Sequence, residues 1–160
     1  MTQWSYETRT VDEGGEERIA SLASLLPVDA ADTGNLKPAL LRFREHPTRR
    51  HFATFELGSG HFYCPVGCEV TVAIDDRRAM KLLASQPVGE LASLHLHDPR
   101  GLWYELEGAK MLKVTFKAEN WRRYTLMFSV AGLDRQWFDW DEQLYARTYR
   151  EQKAAAQTQD

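Results

Sequence analysis

A mainly β, antiparallel fold is what this sequence predicts: a β-sandwich or open barrel of short strands, with one short crossover helix and an amphipathic helix at the C-terminus. Three observations carry that prediction. Several stretches of strand length alternate apolar and polar residues, the period of a strand with one face in a core. Clusters of Gly, Pro, Asp and Asn separate these stretches at short spacing. No apolar run approaches the roughly 20 residues that a membrane helix needs.

Taken in order, WSYETRTV is β-prone from Trp4 to Val11 and DEGGEE is a charged turn. RIASLASLLPV reads as a strand or a short helix, because its periodicity does not arbitrate. VDAADTGNLK is loop. PALLRFREH is a strand with Leu40 or Leu41 inward, and Pro47, which cannot donate to a ladder, begins a turn. HFATFEL, GSG and HFYC read as strand, turn and strand. In EVTVAIDD, Val70, Val72 and Ile74 share one face, and Asp75 begins a turn that leads to the strand AMKLLAS. LASLHLHD sets Leu94 and Leu96 against His95 and His97. Pro99 opens the short helix, which Gly108 ends. KMLKVTFKAEN and YTLMFSVAG then pair as a hairpin with Leu112, Val114 and Phe116 facing Leu126, Phe128 and Val130. Asp134 is placed to cap the final helix, whose Trp137, Trp140, Leu144 and Tyr145 form a stripe at helical spacing. The expected organisation is a β domain over 1–134, a helix over 135–153 packed on it, and a disordered tail over 154–160.

The formal net charge is -3 and no nucleic-acid motif is present, so nucleic acid is not an expected partner. There is no phosphate loop, dinucleotide fingerprint or nucleophile elbow, and no cofactor is expected. The basic pairs Arg49–Arg50, Arg77–Arg78 and Arg122–Arg123 fall at predicted turns. Trp121 lies beside the last of them. Asp75 and Asp76 are read as turn residues, Asp75 bonding backbone amides, rather than as a catalytic pair. The HxH pair His95 and His97 is a zinc-like arrangement without a third ligand. With His61 it carries the alternative reading of a small-molecule- or metal-binding protein. The reading set first is a protein-binding domain that is not an enzyme. Its candidate patch is Trp137, Asp139, Trp140, Asp141 and Glu142, since an inhibitor presents acidic or aromatic side chains to its target.

The only cysteines are Cys64 and Cys68, in CPVGC. A metal clip lacks a second pair of ligands, and the spacing is not that of a thioredoxin-like redox motif. A disulfide across the turn made by Pro65 and Gly67 fits better, with Cα atoms in the range a bridge spans. Two reduced cysteines, one of them buried, are the alternative. The bridge predicts an oxidising compartment. The polar start MTQWSYETRT is not a signal-peptide pattern, which leaves a cytoplasmic protein or one whose signal has been removed.

The order of motifs from Trp4 to Asp134 resembles a widespread family of Gram-negative envelope proteins, often lipoproteins. The shared features are an N-terminal Trp-x-Tyr strand, an arginine-bearing strand ending at His-Pro (LLRFREHP), and a strand ending in Cys. A Gly-Cys-x-Val-x-Val-x-Phe-Asp strand (here GCEVTVAID) and a closing Phe-x-Val-x-Gly-Leu (here FSVAGL) complete the set. More distantly the chain is similar to accessory proteins of type VI secretion. It departs in carrying Ala73-Ile74 where the family has Arg-Phe, and in its aromatic C-terminal stretch. The resemblance implies a periplasmic or envelope-anchored location, with membrane attachment only through a removed lipid anchor, and a Cys64–Cys68 disulfide. It sets a protein partner, an effector or a secretion component, with the chain as accessory factor or toxin-immunity protein. It implies no reaction.

Overall fold

The computed structural model describes residues 3–48 and 50–141. Nine strands form one antiparallel sheet: β1 (Ser5–Thr10), β2 (Glu16–Ala23), β3 (Leu40–His46), β4 (Arg50–Glu56), β5 (Cys68–Ile74), β6 (Met80–Ser85), β7 (Ser93–Leu96), β8 (Met111–Lys117) and β9 (Arg123–Ser129). Their order across the sheet is β1-β2-β3-β4-β7-β6-β5-β8-β9. A helix, α1 (Pro99–Glu105), connects β7 to β8. The mainly antiparallel β class and the crossover helix are as the sequence predicts.

Alternation builds the core. Val114 lies opposite Leu126 and Leu112 opposite Phe128, all buried, while Thr115 and Thr125 meet on the outer face with hydroxyls 3.0 Å apart. β5 adds Val70, Val72 and Ile74 to the same inner layer. Each such side chain contributes about 1.5–3 kcal/mol on burial. The sheet curls until its two flanks meet. The Leu25 amide, just past β2, donates to Met127 O on β9 at 2.8 Å, and the Trp4 indole N–H donates to Val130 O at 3.0 Å.

Two sequence expectations change here. HFYC is not a strand: only Phe62 makes a bridge, to Ala118, because this stretch pairs antiparallel with no more than residues 117–119 at the end of β8, while the Phe62 amide turns to Leu91 O. The final helix does not begin after Asp134. Residues 135–139 are turns and bends, and helical backbone starts only at Trp140. The Asp134 carboxylate caps locally instead, accepting the Gln136 amide at 3.0 Å. The rest of the predicted helix and the tail, including Glu142, Leu144 and Tyr145, lie outside the described residues.

The register gives the curled sheet two unlike ends. At one end, α1 and the segment 134–141 plug the core. Asp98 caps α1 by accepting the Gly101 amide, and Leu102 and Trp103 are fully buried. Trp103 meets Phe43, Phe138 and Trp140 edge-on at centroid distances of 5.3, 5.1 and 5.2 Å. At the other end lie the loops after β2, β4, β6 and β8, with the two cysteines among them.

Candidate functional site

The loop end is held by a covalent turn. Cys64 and Cys68 form a disulfide with Cα atoms 5.3 Å apart, within the expected range. Gly67 supplies the positive φ that the turn needs, +89°. The loop is anchored on both sides. The Tyr63 amide donates to Lys117 O at 2.9 Å, and Gln86 Nε2 donates to Phe62 O and Leu91 O at 3.0 and 2.8 Å. The disulfide is consistent with an oxidising compartment. Among the described residues no helix is long and apolar enough to cross a membrane.

Trp121 is the most unusual residue of this end. It sits in the tight β8–β9 turn with φ +69°, a left-handed backbone that a bulky side chain rarely adopts. The turn is well bonded: Trp121 N–H to Ala118 O at 3.0 Å, Ala118 N–H to Arg122 O at 2.9 Å, and Arg122 N–H to the Asn120 side-chain oxygen at 3.1 Å. Yet its indole stays 65% exposed. Strain of this kind concentrates where function requires it. The Lys117 ammonium sits 3.9 Å from the Trp121 ring centroid and 5.3 Å from that of Tyr63, and the two rings are 4.8 Å apart. The cation thereby organises two exposed aromatics into one rigid unit.

Apolar exposure is concentrated here too. Among the described residues, the large apolar side chains most open to solvent sit in loops at this end, Leu26, Val66, Val88 and Trp121 among them. Leu83, on β6 near the same end, is the exception. Val66, at the tip of the disulfide loop, is 96% exposed.

Beside the loop the sheet parts. The β5–β8 ladder runs from Ile74–Leu112 to Thr71–Thr115 and stops. Beyond it, β8 bonds to the Phe62–Tyr63 stretch instead. The gap is a cleft of about 350 Å³ that reaches the buried Val70, Leu94 and Phe116. Lys117 and Arg123 stand at its mouth, paired with each other across β8 and β9. Neither makes an ion pair among the described residues, whereas the neighbouring Glu69 faces Lys81 at 3.7 Å.

The sequence-predicted patch is elsewhere, and much of it is internal. Trp140 is completely buried, with its indole N–H donating to Glu45 Oε2 at 2.8 Å and its carbonyl accepting the Tyr104 hydroxyl at 2.8 Å. Trp137 is half-buried against Tyr6 and Arg18. Asp141 is paired with Arg135, which also donates to Trp103 O at 2.6 Å. Only Asp139 is exposed, and Glu142 lies outside the described residues. Of the apolar stripe, Trp137 and Trp140 pack on the end of this chain's own sheet, and Leu144 and Tyr145 lie outside the described residues.

The histidines are dispersed. His95 is half-buried beside Phe52, with Glu90 at 3.6 Å, His97 is exposed, and His61 pairs with Glu119 at 2.8 Å. No group of three or more His, Cys, Asp or Glu side chains converges as metal ligands among the described residues. Asp75 is a turn residue that bonds backbone, though not that of its own turn: it accepts the Lys110 and Met111 amides across at the start of β8 at 3.0 and 2.8 Å, and these bonds hold its carboxyl below the usual range. Of the basic turn pairs, Arg77 faces Glu105 at 3.6 Å and Arg122 faces Asp32 at 3.2 Å. Arg49 lies outside the described residues.

Burial, reinforced by Arg44, lowers the His95 pKa against the pull of Glu90. Burial and Arg100 likewise lower that of His51. The folded state therefore binds these protons less readily than the unfolded chain, whose histidines titrate at about 6.5. Their contribution is present above that pH and is lost as the pH falls through and below it. Chemical denaturation is expected to show stability falling from pH 7.5 to 5.5, with a flatter profile in the His51→Gln, His95→Gln double variant. An unchanged slope in that variant would remove both residues from the explanation.

No family model, no curated protein and no solved structure matches the chain. The site is therefore read from its own geometry.

Proposed function

We propose that this chain is a non-catalytic protein-binding domain of the Gram-negative cell envelope, acting through the loop end of its curled sheet. The observation that carries the binding reading is the gathering of exposed apolar side chains at that one end, around a strained and cation-stacked Trp121. An apolar surface collected in this way marks an interaction site, and a rigid aromatic is the usual anchor of a protein interface. The disulfide supports an extracytoplasmic setting. A secretion-system accessory factor or a toxin-immunity protein is the role that the resemblance in sequence suggests.

Two readouts test this in the protein's native cellular setting. Alkylation without reductant is expected to leave Cys64 and Cys68 unlabelled; labelling of both would withdraw the support for an oxidising compartment. A photo-crosslinking amino acid at Val66 is expected to give a discrete protein adduct that the same group at Thr8, on the exposed outer edge of β1, does not give. Equal crosslinking at the two positions would defeat the proposed surface.

A further inference from the structure

We infer that the cleft between β5 and β8 receives an apolar side chain from an acidic segment of the partner protein. This rests on the protein-binding reading above and names the chemistry of the contact. The depth of the cleft sets the first half of the inference. Its inner wall is Val70, Leu94 and Phe116, all core residues, so an occupant loses water on an apolar surface. A volume of about 350 Å³ admits one large side chain with room for its backbone. The disulfide loop forms one wall, and its covalent closure keeps that wall in place before the partner arrives.

The charge at the mouth sets the second half. Lys117 and Arg123 both face outward there, and Lys113 follows on the same face of β8. Glu69, the acid on the lining, is engaged by Lys81. The whole chain is acidic, so this is a local reversal of its charge. An incoming segment with carboxylates flanking its apolar residue would meet the two cations while the apolar group fills the cleft. A basic segment would meet like charge and be rejected. The cation–π contact fixes Lys117 over Trp121, so its charge is already oriented.

The test uses the purified, oxidised full chain and three capped peptides: acetyl-Glu-Phe-Glu-amide, acetyl-Lys-Phe-Lys-amide and acetyl-Glu-Gly-Glu-amide. Backbone amide shifts are followed by NMR during titration into the millimolar range. The acidic phenylalanine peptide is expected to move the amides of residues 66–71 and 115–117. The other two are expected to bind at least tenfold more weakly. The double variant Lys117→Met, Arg123→Gln should weaken the acidic phenylalanine peptide about tenfold while its remaining spectrum overlays that of the parent. Equal shifts from all three peptides would overturn the inference, as would shifts centred elsewhere or no shifts at all. If the peptides fail while the Val66 adduct forms, the binding end stands and the cleft chemistry falls. If the acidic peptide binds while no adduct forms, the cleft chemistry stands and the assignment of a protein partner falls.

Discussion

Replacing Trp140 by alanine is expected to lower the unfolding free energy by about 3–5 kcal/mol, the range for truncating a large aromatic in a packed core. Three features put this variant at the upper end of that range. The indole is completely buried. It stacks on Phe138 at 4.3 Å and meets Phe43, Trp103 and His51 edge-on, so its loss unseats several rings at once. Its N–H also bonds Glu45, whose carboxyl is pushed up chiefly by burial and would lose this partner. Domains of this size are held by about 5–15 kcal/mol, so the change consumes a large part of the margin. Urea denaturation measures it directly, as a fall in midpoint with little change in slope. A loss below about 1 kcal/mol would mean that the 134–141 segment is not integral to the core.

Replacing Trp121 by glycine is expected to do the reverse. At φ +69° a glycine relieves the steric cost that an L side chain bears, roughly 1 kcal/mol. The side chain removed is mostly in water, so little packing is lost. Stability is therefore expected to hold or rise by up to about 1 kcal/mol, while the adduct at Val66 falls at least tenfold. Opposite movements of stability and binding are what a functional residue produces and a structural one does not. If the variant is instead destabilised, the contacts of Trp121 with Tyr63 and Lys117 are structural and outweigh the strain. If stability rises and the adduct persists, the partner binds away from this turn.

The fold was legible where one face of a strand is inside and the other in water. β5, β8 and β9 are of that kind, and their alternation predicts which side chains face inward as well as the strands' existence. β2 was not resolved from a helix because Ile19 and Ala20 are buried in succession, which breaks the period. β4 has the same irregularity at Ala53, Thr54 and Phe55, where Thr54 is covered as well. At the C-terminal end, apolar spacing pointed to packing on the β domain, but not to which aromatics the sheet takes inside and which are left for a partner. A stripe destined for another protein and one destined for the mouth of its own sheet have the same pattern. Phe138, outside that stripe, completes the aromatic plug.

The candidate site was legible only in pieces. CPVGC announced its bridge, and ENWRR announced a turn containing tryptophan. Nothing in the sequence brings Tyr63 to Lys117 and Trp121, because their meeting depends on where the β5–β8 ladder ends. The left-handed backbone of Trp121 is likewise a product of the turn geometry, at a residue type that does not advertise it. Exposure was the missing variable: Trp121 and Trp140 are equally apolar, and the fold spends one on the core and leaves the other in water.

The joining of Trp4 to Val130 sets an order on biosynthesis. The two residues are 126 positions apart in the chain, so the seam cannot form until a ribosome or a translocation pore has released almost all of the described strands. The Cys64–Cys68 bridge spans four positions and requires only that Cys68 has emerged. The chain can thus acquire its covalent turn while its first strand still waits for the last, and every partly emerged form carries an open flank. The most local bond of this sheet is available early, and the bond that closes its perimeter only after the last described strand has emerged.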